Sequence, residues 1–212
     1  FSNREEGGGE AEGGRSLIIR IGLIPFDQRA VQLIVLSIVY LSEMVTIAVQ
    51  AGGQSTRMGQ NKALMPFLGR PLIARVVERV RPLAGELIVT TNEPQTLTFL
   101  NLPLFTDLLP GTGALGGLYT ALAAASHPFV AVVACDMPFA NPGLLQAQLA
   151  QLKDTGADVV IPKLGAGYEP FHAVYRRETC LEAIRAALDA GQRRMISWFP
   201  SVRVQAWEEA AL

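Results

Sequence analysis

From Val45 onward, short apolar runs alternate with longer stretches in which apolar residues recur three and four apart. Val45, Ile47 and Val49 open a β-prone run that breaks at Gly52-Gly53. Leu72, Ile73, Val76, Val77 and Val80 have helical spacing and predict a helix that starts at Pro71 and ends at Pro82 and Gly85. Residues 86–91 read as a second strand with a turn at Asn92, and Leu104-Phe105-Thr106 as a short third strand stopping at Asp107. An alanine-rich helix follows from about Leu115 to Ser126. Residues 129–135 are nearly all apolar, as in a central parallel strand covered on both faces. Asn141 reads as a helix N-cap with Pro142 in the first turn, for a helix to about Lys153. Residues 158–162 and 169–175 read as extended, 178–190 as a helix stopped by Gly191, 192–199 as a short helix and 202–205 as a last strand. This alternation predicts an α/β chain, a three-layer α/β/α sandwich with a mostly parallel, Rossmann-like sheet.

The first 43 residues follow a different pattern. The opening FSNREEGGGEAEGG has almost nothing to bury and is expected to be disordered. The apolar runs after it are interrupted by Arg20, Pro25, Asp27 and Arg29, and the longer uninterrupted piece falls short of the ~20 residues a bilayer requires. Acidic residues at the start also argue against a signal peptide. The expected organisation is a loosely attached extension over residues 1–43 and a single domain over 44–212, opening at Met44.

Charge narrows the function. A net charge of −1 over 212 residues leaves no basic face for nucleic acid, so positive charge has to be local. Cys135 and Cys180 have neither metal-ligand spacing nor a disulfide framework, which fits a reducing cytoplasm. Local positive charge is found in VTIAVQAGGQSTRMGQNK (residues 45–62), where a strand ends in adjacent glycines and is followed by Ser55, Arg57, Gly59 and Lys62. Glycines admit close backbone approach, and successive N–H groups in such a turn converge on phosphate oxygens. Arg57 suits forked contacts and Lys62 acts as a point charge. Neither a Walker loop nor a G-x-G-x-x-G fingerprint is present.

In open α/β sheets, ligands sit beyond the carboxyl ends of the strands. Those ends carry the AGG loop, residues 90–92, Asp107 and Asp136. Asp136 is the expected Mg²⁺ ligand, since that ion takes few carboxylates plus phosphate oxygens. Arg57 and Lys62, with Asp136, are the candidate catalytic groups for attack on an α-phosphorus, where negative charge accumulates on nonbridging oxygens and departing pyrophosphate. Asn92 and Asp107 are base or ribose candidates; Asp107 also reads as a cap of the turn before Pro110, and Asn92 as an ordinary turn residue.

The pattern A-G-G-x-S-x-R-M-G-x-x-K resembles the signature loop of nucleotidyltransferases that move a nucleoside monophosphate onto a phosphate acceptor, most closely the molybdenum cofactor guanylyltransferases. AGGQSTRMGQNKAL, GALGGL at 113–118, CDMPF at 135–139, EPFHAVYRR at 169–177 and AGQRR at 190–194 carry the resemblance from about Met44 onward. It implies the nucleotide-diphospho-sugar transferase type of fold, Mg²⁺ as cofactor, and GTP and molybdenum-molybdopterin as substrates. It also implies a nucleotide site at Ala51, Gly52, Gly53, Ser55, Lys62, Asn92, Asp107 and Asp136, with the metal on Asp136. His172 and Arg193-Arg194 are candidate pterin contacts, with a satisfied strand histidine and solvated arginines as alternatives. Molybdoenzymes or other cofactor-biosynthesis proteins are further expected partners; nucleic acid and membrane are not.

Three positions depart from the pattern. Gln50 stands where Leu is usual and Asn61 where Asp usually precedes the Lys; no N-x-N-T-P-E-type segment occurs before Leu212, and a chain lacking it is expected to bind GTP while transferring poorly. A pterin cytidylyltransferase, a sugar-phosphate nucleotidyltransferase and a non-catalytic GTP-binding delivery protein are the rivals. Alanine-alanine-glycine is usual in the cytidylyl loop, so Ala51-Gly52-Gly53 argues for guanine.

Overall fold

The computed structural model describes residues 45–52 and 61–208. The expected extension, the start at Met44, and Gly53, Ser55, Arg57 and Gly59 lie outside the described residues.

The strand β1 (Val45–Gln50) is buried along its whole length and shows why its sequence alternates so little. Val45, Ile47 and Val49 face one core and Ala48 the other, so both faces are covered. From Asn61 on, a 3₁₀ turn at Lys62–Leu64 leads into a hairpin of β2 (Pro66–Phe67) and β3 (Arg70–Pro71). Leu68 and Gly69 at its tip both have positive φ, 49° and 77°. Helix α1 (Leu72–Val80), β4 (Glu86–Thr90) and β5 (Leu104–Phe105) follow, then α2 (Gly113–Ala124) and β6 (Phe129–Ala134). The remainder is α3 (Pro142–Thr155), β7 (Val159–Leu164), β8 (Gly167–Tyr168), β9 (His172–Arg176), α4 (Arg177–Asp189) and β10 (Val204–Glu208).

The main sheet has the order β10-β7-β9-β6-β1-β4-β5, with β8 paired to β7. β9 runs antiparallel to both its neighbours, and every other pairing along that path is parallel. Helices α1 and α3 pack on one face through Ile73, Val76, Val77, Leu145, Leu149 and Leu152. Helices α2 and α4 pack on the other through Leu115, Leu118, Leu122, Ile184 and Leu188. The result is the three-layer sandwich that the alternation of strands and helices predicts. Among the described residues no helix is long and apolar enough to cross a membrane.

One expected element is absent. Over the expected helix 192–199, residues 192–198 form irregular chain and turns, and a 3₁₀ turn follows at Phe199–Ser201. Trp198 is the cause. Its ring is 1% exposed against Tyr175 and Phe199, and its indole N–H donates to the Met195 carbonyl at 2.8 Å. Burying the largest side chain with its N–H satisfied dictates the path of this segment, over its local helical tendency.

Four parallel strands end level with one another. Gln50 stands opposite both Thr90 and Ala134, and Thr90 opposite Phe105. The level is extended by Ala51 N–H to Thr90 O at 2.8 Å, Cys135 N–H to Gln50 O at 3.0 Å and Thr91 N–H to Phe105 O at 2.8 Å. The chain passes from β1 to β4 and β5 on one side, then returns to β6 on the other, so a crevice opens between β1 and β6 where such folds take ligands.

Candidate nucleotidyl-transfer site

Gly52, Asn92, Asp107 and Asp136 each lie two residues past the last residue of β1, β4, β5 and β6. The strands run β6-β1-β4-β5 across the sheet, which orders the residues Asp136, Gly52, Asn92, Asp107. Three strand spacings separate the two ends, roughly 14 Å, a span on the scale of a nucleotide laid across the strand ends.

At one end, Asn92 and Asp107 are locked together. The Asn92 amide Nδ2 donates to Asp107 Oδ2 at 2.9 Å, and its Oδ1 accepts the Asp107 backbone N–H at 3.3 Å. Both ends of the amide are therefore spent on bracing Asp107. From the other side, the buried Thr120 Oγ1 of α2 accepts the Leu108 N–H at 3.0 Å and donates to Gly116 O at 2.9 Å. Asp107 Oδ1 is left facing Gly52: a Cβ at Gly52 would lie 3.9 Å from it and 3.9 Å from Asn92 Nδ2. That is ordinary contact, so the described residues leave room for alanine there. A methyl group would instead occupy the space in front of the Asn92–Asp107 pair. The variant Gly52→Ala is expected to melt like the parent while its GTP dissociation constant rises roughly tenfold or more, the scale of one misplaced methyl in a pocket. Calorimetric titration beside a thermal melt checks this; unchanged GTP affinity would remove Gly52 from the pocket.

At the other end, Lys62 Nζ lies 3.7 Å from Asp136 Oδ2, with about half of each side chain exposed. A pair in such surroundings is worth at most about 1 kcal/mol. Lys62 is aimed by the residue before it. Asn61 Oδ1 accepts the Ala63 N–H at 3.0 Å to cap the 3₁₀ turn, while its Nδ2 donates to Glu93 Oε2 at 2.9 Å. An aspartate at 61 could cap the turn but would set two carboxylates together, so the departure at this position has a local reason. Cys135 is kept out of any chemistry, since burial, aided by the neighbouring Asp136 carboxylate, pushes its thiol up to about 11.

Residues 47–205 match the family model described as MobA-like NTP transferase domain. The chain belongs to the MobA-like NTP transferases. Among the relatives of this transferase is the molybdenum cofactor guanylyltransferase of Desulfosudis oleivorans, 33% identical over 80% of this chain and 84% of its own length. The molybdopterin-guanine dinucleotide biosynthesis protein A of Archaeoglobus fulgidus superposes with a TM-score of 0.66 at 25% identity, over 77% of this chain and 83% of that one. A protein of Aquifex aeolicus VF5 does so with a TM-score of 0.66 at 28% identity, over 79% and 88%.

In this MobA-like transferase, the donors around Asp136 fit a magnesium ion bound together with a substrate. Among the described residues no three His, Cys, Asp or Glu side chains gather to hold a metal alone. The Asp136 carboxylate is half exposed, and its one ion pair among those residues is with Lys62. An ion held there takes its remaining oxygens from phosphates and water, as Mg²⁺ does.

Several contacts of the site were not legible in the sequence. Gln50 is 5% exposed and turns toward α2, its Nε2 reaching Ala114 O at 3.5 Å. A Cβ at Gly117 would fall 1.9 Å from that Nε2, so the third glycine of GALGGL makes room for the glutamine at the end of β1. Ala51 offers only its carbonyl, because its N–H is spent on Thr90. Arg193 donates to the Leu188 and Gln192 carbonyls at 3.1 and 2.8 Å, capping the end of α4. A lone threonine in an alanine-rich helix was the available signal for Thr120.

Proposed function

We propose that this chain transfers GMP from Mg-GTP to the terminal phosphate of molybdenum-molybdopterin, releasing pyrophosphate and forming the guanine dinucleotide cofactor. The observation that carries the reading is the braced Asp107 carboxylate, aimed across Gly52 at the head of a line that ends in Asp136 and Lys62.

Guanine presents two adjacent donors on its Watson–Crick edge, N1–H and N2–H. A carboxylate, which only accepts, complements both; cytosine and adenine each present a ring acceptor there and are repelled. Asp107 takes this role and Asn92 holds it in place. Gly52 gives the base room to lie down, and Ala51 contributes its carbonyl to the floor of the pocket. The triphosphate then runs from Gly52 toward β6, with Gly53 and Ser55 as the sequence candidates for its remaining contacts.

In the transfer step, an acceptor phosphate oxygen forms a bond to the α-phosphorus of GTP. The bond from that phosphorus to the α,β-bridging oxygen breaks, and its electron pair leaves with pyrophosphate. The nucleophile is already anionic, so no strong general base is required. Lys62 and Arg57 offset charge on the nonbridging and leaving oxygens. Asp136 would hold Mg²⁺, whose charge would offset that of the phosphates. The two cysteines, both free thiols, suit a cytoplasmic setting.

Pyrophosphate release with molybdenum-molybdopterin and GTP, CTP or ATP in turn tests the reading. Turnover is expected with GTP, and roughly 100-fold less with either rival nucleotide, the discrimination that unpaired polar groups impose. Equal turnover with CTP, or release that requires a sugar phosphate instead, would overturn it.

A further inference from the structure

Asp136 lies on a seven-residue passage, Cys135 to Asn141, that links the end of β6 to α3. Its carboxylate has no hydrogen-bond partner among the described residues, and Lys62 stands 3.7 Å away. The carboxylate is consequently placed by the backbone beneath it. That backbone is tied at the near end by Cys135 N–H to Gln50 O, and internally by Met137 N–H to Ala134 O and Ala140 N–H to Met137 O. At the far end two side chains from opposite directions take hold. Arg79 Nε of α1 donates to Ala140 O at 2.6 Å, and His172 Nε2 of β9 accepts the Asn141 N–H at 3.0 Å.

His172 suits this task for three structural reasons. It opens β9 opposite Val133 of β6, one residue short of the end of that strand, so its ring stands beside the passage. Its carbonyl accepts Gln148 Nε2 of α3 at 3.1 Å, which fastens the same histidine two turns further along that helix. Its Nδ1 is buried without a partner among the described residues, as is Gln148 Oε1. Because Nε2 accepts, the neutral ring carries its proton on Nδ1.

We propose that His172 is a positioning residue whose neutral imidazole, by holding the Asn141 N–H, sets the Asp136 carboxylate toward the triphosphate and its metal. The proposal rests on the transfer reaction above. Of the two sequence readings of His172, a pterin contact or a satisfied strand histidine, it takes up the second, because Nε2 is engaged by the Asn141 N–H. A second proton on the ring would place an N–H against the Asn141 N–H and release the latch. Charged or titratable groups on the surrounding segments include Cys135 and Asp136 at the exit of β6, Lys62, Glu169 in the turn before β9, Arg79 on α1, Lys153 and Asp154 in the last turn of α3, and Lys163 on β7. None of them ion-pairs with or hydrogen-bonds to the imidazole among the described residues. Burial alone lowers the affinity of the ring for that proton below the ordinary histidine value of 6.5. The latch is therefore intact above that value and lost as pH falls through the lower one of the folded state.

The test uses the full chain and two variants. His172→Leu removes the acceptor, and His172→Gln supplies an oxygen that accepts without titrating. For His172→Leu, kcat is expected to fall roughly 10- to 100-fold, the scale for groups that orient a metal ligand. Its KM for GTP should stay within about twofold, because Asn92 and Asp107 follow β4 and β5, three and four strands away from β9. Mn²⁺ titration of the protein–GTP complex by electron paramagnetic resonance should show weakened metal binding by a similar factor. His172→Gln should recover most of kcat and lose the acid limb of the pH–rate profile below pH 6.5. A leucine variant with parental kcat and metal affinity overturns the proposal, and so does a glutamine variant that keeps the same acid limb. Should the leucine variant fail to fold, the glutamine profile decides alone. An Asp136→Asn variant run alongside separates the two levels: if it stays active the transfer reading itself fails, whereas an inactive Asp136→Asn beside a parental His172→Leu rejects only the latch.

Discussion

Asp136→Asn is expected to lose about 10³-fold in kcat or more while GTP still binds and the fold is undisturbed. The substitution keeps the volume and planar shape of the side chain and removes one negative charge, the charge that lets a single protein group hold a divalent ion among phosphate oxygens. Removing one preorganised electrostatic stabiliser of a transition state costs about 10²–10³ in rate, and here the metal is weakened with it. Stability changes little for a separate reason. The carboxylate is half exposed and its one ion pair among the described residues is with an equally exposed Lys62, a contact worth at most about 1 kcal/mol. Binding is retained because Asn92, Asp107 and Gly52 sit on other strands. The measurements are single-turnover pyrophosphate release, a binding isotherm for GTP and a thermal melt. Release within about threefold of the parent would take Asp136 out of the chemistry.

Asp107→Asn should change which nucleotide is used, with a smaller effect on how fast it reacts. The carboxylate has two roles: Oδ2 accepts from Asn92 Nδ2 and Oδ1 faces Gly52. An asparagine has one acceptor and one donor group at its tip. Keeping the bond from Asn92 leaves an NH₂ group pointing at the guanine donors, and turning the amide over sets two NH₂ groups against each other. Either arrangement leaves buried donors unpaired, a loss of about 1.5–3 kcal/mol for each hydrogen bond to a charged group. The efficiency ratio of GTP over CTP is expected to fall about 100-fold, carried by KM for GTP, with kcat changed far less. Competition assays with both nucleotides in one vessel read this ratio directly. A ratio that survives the substitution would mean that guanine is recognised elsewhere.

The relation between these predictions and the sequence is uneven. Gly52, Asn92, Asp107 and Asp136 were selected because each follows the end of an apolar run, and the structure brings all four to one edge of one sheet. The interdependence among them was not legible. Asn92 was a candidate for the base, yet both atoms of its amide serve Asp107. His172 was a candidate for the acceptor, yet its ring holds α3. In both cases the type of residue is compatible with either task, and the choice depends on a neighbour 15 or 31 positions away. The segment 192–199 has the same origin: its local spacing favours a helix, but a buried indole that needs an acceptor settles the matter.

What the sequence determined by itself was local: where strands and helices lie, the change from glycine pair to cationic loop, and a layered α/β class. Runs buried on both faces and turn residues at their ends impose those features through contacts within a few residues. Tertiary structure alone decided the order of strands, the reversal of β9, and the fact that four strands stop at one level. Register between distant segments is set by the joint packing of two cores rather than by either partner, and it turns scattered polar residues into a line, Asp107 and Asn92 at one end and Asp136 at the other.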